Sequence, residues 1–399
     1  MFFQICQDSL KIEGVISLMT YQVYITKVAK FLPNEPVSND EMESYLGFIN
    51  GQSSKSRRIV LRNNGIKSRY YALDKEGKST HTNYEMAALA IKSLFKNSEL
   101  PIGAVQLLAC GTSAPDQMMP SHAVMVHGEL KNCSPMEVIS PSGNCCSGMH
   151  ALKYAYMSIK CGDIENAVTA GSERTSALLK SSVFENELNS LASLEENPYL
   201  SFEKDFLRWM LSDGAAAFLL QNKPNEGGIS LRIDWIEGVS YAHQVETCMY
   251  MASDKLSDGS LKSYLDFSQK EIADKSIMSI KQDVKLLSQH IVPLGFNKLK
   301  DILDRRQFNI NDIDYFLPHM SSEFFRSKIA ENLDSNGLHI PNEKWFTNLS
   351  AIGNVGAASI YLMIEEMLSN NMLKKGQKLL LAVPESARFS YVFGLLTVC

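Results

Sequence analysis

Apolar positions along this chain alternate between short unbroken runs and longer stretches that recur every three or four residues. The runs at 104–109, 166–170, 215–220, 314–317 and 378–383 are too short for helices and predict strands, buried where the apolar run is continuous. Val23, Tyr24, Ile25 and Thr26 make a further strand opening. The helical rhythm is clearest at Met86, Leu89, Ala90 and Leu94, which follow Thr82-Asn-Tyr-Glu85, a capping box in which Glu85 reaches back to exposed amides. Met149, Leu152, Tyr156 and Ile159 predict a second helix ending near Gly162, 323–329 a third, and 352–367 a turn followed by a long apolar-faced helix. An acidic helix start stands at 38–41, 54–69 reads as a basic surface loop, and 222–228 is rich in turn formers. The stretches 175–210 and 240–290 have no clear period.

Strand and helix patterns alternate in both parts of the chain, which predicts an α/β protein of two interlocked halves, residues 1–228 and 229–399. No short repeat marks a solenoid. The 399 residues, 45% of them apolar and 21% charged, allow a substantial core and exclude global disorder. Lys+Arg 39 against Asp+Glu 44 gives a net charge of -5, so no basic field exists for non-specific nucleic-acid binding. The eight cysteines form neither a secreted scaffold nor zinc-spaced pairs, and read as thiols of a reducing cytoplasm. The amino terminus lacks the pattern of a signal peptide, and no apolar run approaches the roughly 20 residues needed to span a bilayer.

Candidate chemistry concentrates in Pro141-Ser-Gly-Asn-Cys-Cys-Ser-Gly-Met-His150, at a predicted strand-to-helix junction. A cysteine there meets unpaired amides and the positive end of the helix dipole, which favour a thiolate. Cys146 is the expected nucleophile: it precedes Ser147-Gly148, whose glycine would let substrate approach, while Cys145 is expected to turn away. Two buried structural thiols are the plainer reading of the same residues. His319 directly follows an apolar strand, and Asn354 stands at the entrance to a helix. Each alone reads as structural, but together they could stabilise negative charge on a carbonyl held near a cysteine.

These segments resemble the ketoacyl-ACP synthase III branch of the thiolase-like superfamily. Cys146-Ser-Gly-Met is similar to that family's Cys-Ala-Gly-Phe turn. Ile313-Asp-Tyr-Phe-Leu-Pro-His319 resembles its Ile-Asp-Trp-Leu-Val-Pro-His strand, and Gly353-Asn-Val-Gly-Ala-Ala-Ser359 its Gly-Asn-Thr-Ser-Ala-Ala-Ser loop. The resemblance implies a five-layer α/β/α/β/α fold and a catalytic trio of Cys146, His319 and Asn354. It further implies a homodimer acting on acyl thioesters of CoA or a phosphopantetheine-bearing carrier protein, with no metal, flavin or nicotinamide. Weaker matches place Arg62 near the carrier entrance and Met119 across the dimer interface, where it would line the neighbouring acyl tunnel. Asp213-Gly214 resembles a scaffold turn. The family's glycine-rich carboxyl-terminal stretch is reduced here to 387–394, where the backbone amide of Phe389 is the remaining oxyanion candidate. The implied reaction is decarboxylative condensation through an acyl-cysteine. The competing expectations are acyl transfer to another acceptor without decarboxylation, and a non-catalytic scaffold.

Overall fold

The computed structural model describes residues 20–49, 51, 53–54, 57–96, 98–183 and 207–399. Nine strands form one mixed sheet, labelled here β1 (Tyr24–Phe31), β2 (Leu107–Gly111), β3 (Glu137–Ile139), β4 (Asn166–Glu173), β5 (Gly214–Gln221), β6 (Leu231–Ser240), β7 (Tyr315–Pro318), β8 (Lys378–Glu385) and β9 (Ser390–Val398). Six helices pack on it: α1 (Asn83–Leu94), α2 (His122–Glu129), α3 (Cys146–Lys160), α4 (Val284–Arg305), α5 (Phe324–Ser335) and α6 (Ser359–Ser369).

From the centre outward, one side of the sheet runs β1-β5-β4-β2-β3 and the other β6-β9-β8-β7. Both sides use the same pairings. The first strand is antiparallel to the last, the last antiparallel to the one before it, and the next pair is parallel. A parallel bridge from Phe316 to Trp345 stands where β3 stands in the first half. The helices repeat too, since α1, α2 and α3 sit between the same strands as α4, α5 and α6. Two copies of one chain order are therefore joined where β1 pairs β6 through Tyr24 and Ile25.

The layers follow from strand alternation. In β5, Ala215, Ala217 and Leu219 face α1 and α2, while Ala216, Phe218 and Leu220 face a central layer formed by α3 and α6. In β8, Leu379, Leu381 and Val383 face that central layer, while Leu380 and Ala382 face α4 and α5. The result is the five-layer α/β/α/β/α arrangement. Because both central helices are covered on two sides, α3 buries most of its first turn as well as its apolar stripe.

The Thr82–Glu85 capping box forms and starts α1. Two expectations need correction. The stretch 54–69 is not simply a surface loop, because 57–64 folds into a helix and Asn64 and Arg69 are buried. Its composition hides this, since the Asn64 side chain donates to the Trp209 carbonyl, a partner far along the chain. Gly148 does not serve substrate approach. A Cβ there would overlap the carbonyl oxygen of Ala357, which is wedged between α3 and Gly171 of β4. Gly148→Ala should therefore cost on the order of 3 kcal/mol, because the obstructing atom is backbone and cannot rotate away. Denaturant unfolding curves would show the loss, and wild-type stability in the variant would refute the packing account.

Candidate active site

One cavity of about 360 Å³ opens at the junction of the halves, lined by Cys145, His319 and Asn354 together. Each arrives from a different element. Cys145 immediately precedes α3, with helical dihedrals and no capping bond from its side chain. His319 follows β7, and its N–H donates to the Ala382 carbonyl of β8 at 2.8 Å. Asn354 lies in the loop before α6, its backbone pinned by Asn354 N–H to Met210 carbonyl and Ser212 N–H to Asn354 carbonyl, both 2.9 Å.

The Asn354 side chain is oriented by its own loop. Its Oδ1 accepts the Gly356 N–H at 2.9 Å, so Nδ2 is the remaining donor group. That loop is tied to the first half through Glu173 at the end of β4, which accepts from the N–H groups of Ser113 and Ala357, each 3.0 Å. Burial pushes the Glu173 carboxyl up to about 7. Burial also pulls the His319 imidazole down to about 4, leaving a neutral ring at pH 7. A neutral imidazole and a carboxamide can donate hydrogen bonds to a developing oxyanion without an ion being buried beside them.

The two adjacent cysteines meet the cavity differently. Cys145 borders the cavity, whereas Cys146 is fully buried behind it, where its thiol donates to the Val383 carbonyl of β8 at 3.2 Å. Cys146 lies three residues before Met149, on the stripe that buries α3 in the central layer. The expected thiolate-favouring field is also opposed. Glu385, at the end of β8, accepts the N–H of Asn144 at 3.0 Å and that of Cys146 at 3.4 Å. Desolvation first, and the Glu385 charge second, push both thiols above their ordinary value.

The remaining sequence candidates do not border the cavity. Arg62 is exposed on the 57–64 helix, and Met119 is 86% exposed. Phe389 adopts a φ of +57°, a region usually left to glycine, with its ring fully buried and edge-on to His290 at 5.5 Å. Gly214 opens β5, as a scaffold turn would. Sequence reasoning missed the far wall of the cavity, made by Leu287, Ile291, Val292 and Phe296 of α4 with Phe325 and Ile329 of α5. Part of it falls in 240–290, where no period was visible. Among the described residues, no cluster of His, Cys, Asp or Glu is placed to hold a metal ion, and no helix is long and apolar enough to cross a membrane.

Residues 303–384, which carry His319 and Asn354, match the model of the 3-oxoacyl-[acyl-carrier-protein] synthase III carboxyl-terminal region. The chain is 22% identical over 364 residues to a β-ketoacyl-[acyl-carrier-protein] synthase III of Clostridium novyi, covering 90% of this chain and 94% of that protein. It is 23% identical to one of Rickettsia prowazekii, covering 88% and 92%. Its fold is similar to AbyA1, a tetronic acid condensing enzyme, with a TM-score of 0.71, 18% identity and coverage of 94% and 99%. It is also similar to a Xanthomonas campestris OleA with bound lauric acid and lauroyl-CoA, with a TM-score of 0.70, 17% identity and coverage of 94% and 99%.

Proposed function

We propose that this chain, which is similar to the synthase III condensing enzymes, performs decarboxylative Claisen condensation through an acyl group carried on Cys145. The observation that carries the reading is a cavity lined by Cys145, His319 and Asn354, with the imidazole neutral and the carboxamide oriented by its own loop. The sulfur of Cys145 attacks the carbonyl of an acyl-CoA or acyl-carrier thioester, the carbonyl carbon–sulfur bond to the carrier breaks, and the carrier leaves as its thiol. A malonyl-type partner then loses CO₂. His319 and the Asn354 Nδ2 donate to the enolate oxygen that forms, and the enolate carbon attacks the acyl-cysteine carbonyl, releasing the Cys145 sulfur.

The acyl chain is assigned to the apolar wall between α4 and α5. At about 30 Å³ per water, the cavity holds on the order of a dozen water-sized volumes, which suits an alkyl chain of several carbons better than an acetyl group alone. The laurate and lauroyl-CoA bound by the OleA structure support a fatty acyl donor.

Incubation of the protein with acyl-CoA and acyl-carrier thioesters of graded length, followed by intact mass, should reveal an adduct that grows stronger from acetyl to medium-chain donors. Addition of a malonyl thioester should discharge the adduct with release of CO₂ and a β-ketoacyl product. A product one carboxylate heavier, or acyl transfer to an added amine or alcohol with no CO₂, would identify transfer without decarboxylation. No adduct from any donor would leave the protein without the proposed activity.

A further inference from the structure

Two hydroxyls on the first-half wall of the cavity have their protons committed to groups behind that wall. Ser113, in the loop after β2, lines the cavity and donates its Oγ proton to Glu173 Oε1, which also accepts the N–H groups of Ser113 and Ala357, each at 3.0 Å. Thr175, just past β4, lines it too. Its Oγ1 donates to Asp213 Oδ1 at 3.3 Å and to the Ser212 carbonyl at 3.4 Å. Both carboxylates are fully buried and held by backbone, Asp213 through the N–H groups of Ser176 at 2.9 Å and Ala72 at 2.8 Å. A hydroxyl has one proton and two lone pairs, so toward the cavity each of these two can only accept. Protonation of Glu173 does not reverse this. Its Oε1 already takes three donors, and a proton on the acid would sit on Oε2, beside Thr112 Oγ1 at 3.4 Å. Gln282, which lines the cavity from the second half, adds a further acceptor. Its Nε2 donates to Ser386 Oγ at 3.1 Å, and its Oε1 is buried with no partner among the described residues.

We propose that this acceptor wall selects an acyl donor carrying a hydroxyl group near its carbonyl, a hydroxyacyl thioester, and that Ser113 and Thr175 are the residues that recognise it. The inference rests on the acyl-thioester reading above and names the substrate class within it. Depth assigns the wall to the acyl part of the substrate. Thr175 is 4% exposed, against 3% for His319 and 5% for Asn354, so it lies as deep as the residues placed at the reacting carbonyl, whereas a carrier arm must run out to solvent. Charge argues for a neutral donor. None of the described residues lining the cavity is an acid or a permanent cation, so an ammonium there would be buried without an ion against it. A hydroxyl instead donates its proton to Ser113 or Thr175 while the rest of the chain follows the apolar wall of α4 and α5. A plain alkyl chain over the same wall would strip water from both acceptors and return no hydrogen bond. The site therefore discriminates by what the wrong chain leaves unpaired.

Equilibrium binding to the full chain tests this without turnover. The probes are medium-chain acyl analogues, on CoA and on a carrier protein, in which an amide replaces the thioester so that no acyl group transfers. One is plain, and the others carry a single hydroxyl on each carbon near the carbonyl in turn. Calorimetry should find at least one hydroxylated analogue bound about tenfold more tightly than the plain one, the effect of one net neutral hydrogen bond. A Ser113→Ala, Thr175→Val double variant leaves both carboxylates their backbone donors. It should lose that preference while binding the plain analogue as tightly as wild type, or more tightly. Equal wild-type affinity for plain and hydroxylated analogues would overturn the assignment. So would a double variant that weakens both kinds alike, the result expected if the wall serves the carrier arm or the fold alone. Binding of no analogue on either carrier would instead overturn the acyl-thioester reading itself, and the hydroxyl assignment with it.

Discussion

A Cys145→Ala protein should take up no acyl group from a thioester, and a Cys146→Ala protein should still take one up. The expected loss in the first is about four orders of magnitude or more in loading rate, because Cys145 is the thiol among the lining residues and a thiol is a far better nucleophile near neutral pH than the hydroxyls beside it. Cys146 is packed within the central layer. Its thiol donates to the Val383 carbonyl within the central layer, so its removal leaves a small void and one unpaired acceptor. That should cost about 1–2 kcal/mol of stability while leaving the cavity wall intact. Intact mass after a brief exposure to a medium-chain acyl-CoA separates the two outcomes, and denaturant unfolding measures the second. Loading that disappears with Cys146 and survives without Cys145 would return the nucleophile to the position given by the sequence pattern.

His319→Ala and Asn354→Ala should each retain loading but form condensed product on the order of a hundredfold more slowly. On the proposed mechanism each removes one donor to the enolate oxygen, and such donors contribute about 3 kcal/mol to the transition state. The loading step does not need that oxygen site. His319 supplies its hydrogen bond as a neutral ring, since burial keeps it unprotonated well below pH 7, and Asn354 supplies Nδ2 because its Oδ1 is held by the Gly356 N–H. Acyl adduct and product measured in the same reactions test the division of labour. Undiminished condensation by both variants would remove these residues from the mechanism, and loss of loading in both would show that they act before the enolate forms.

The α/β alternation was legible because strands with both faces covered must be apolar throughout, as in β5, and helices in contact with them must carry a stripe, as in α1. The His319 and Asn354 loops were singled out by their resemblance to the synthase III strings, since each residue taken alone reads as structural. The family-model match at 303–384 spans both loops.

Three features were decided only by the tertiary structure. Which of two adjacent cysteines meets the cavity depends on the rotation of α3 about its axis, and that is set by packing against β8 and β9, more than 200 residues away in the chain. The need for glycine at position 148 comes from the Ala357 carbonyl of the other half, an obstruction invisible to any window around the motif. Glu385 carries no signal in the sequence pattern, and is the carboxylate at the amino end of α3 because β8 stops 241 residues after Asn144, within hydrogen-bonding distance of it. Local sequence sets which backbone conformations and which buried faces are favourable, since those depend on neighbours a few residues apart. The electrostatics and the exposed atoms of this site depend on contacts between halves, and the chain determines those only once both halves have folded together.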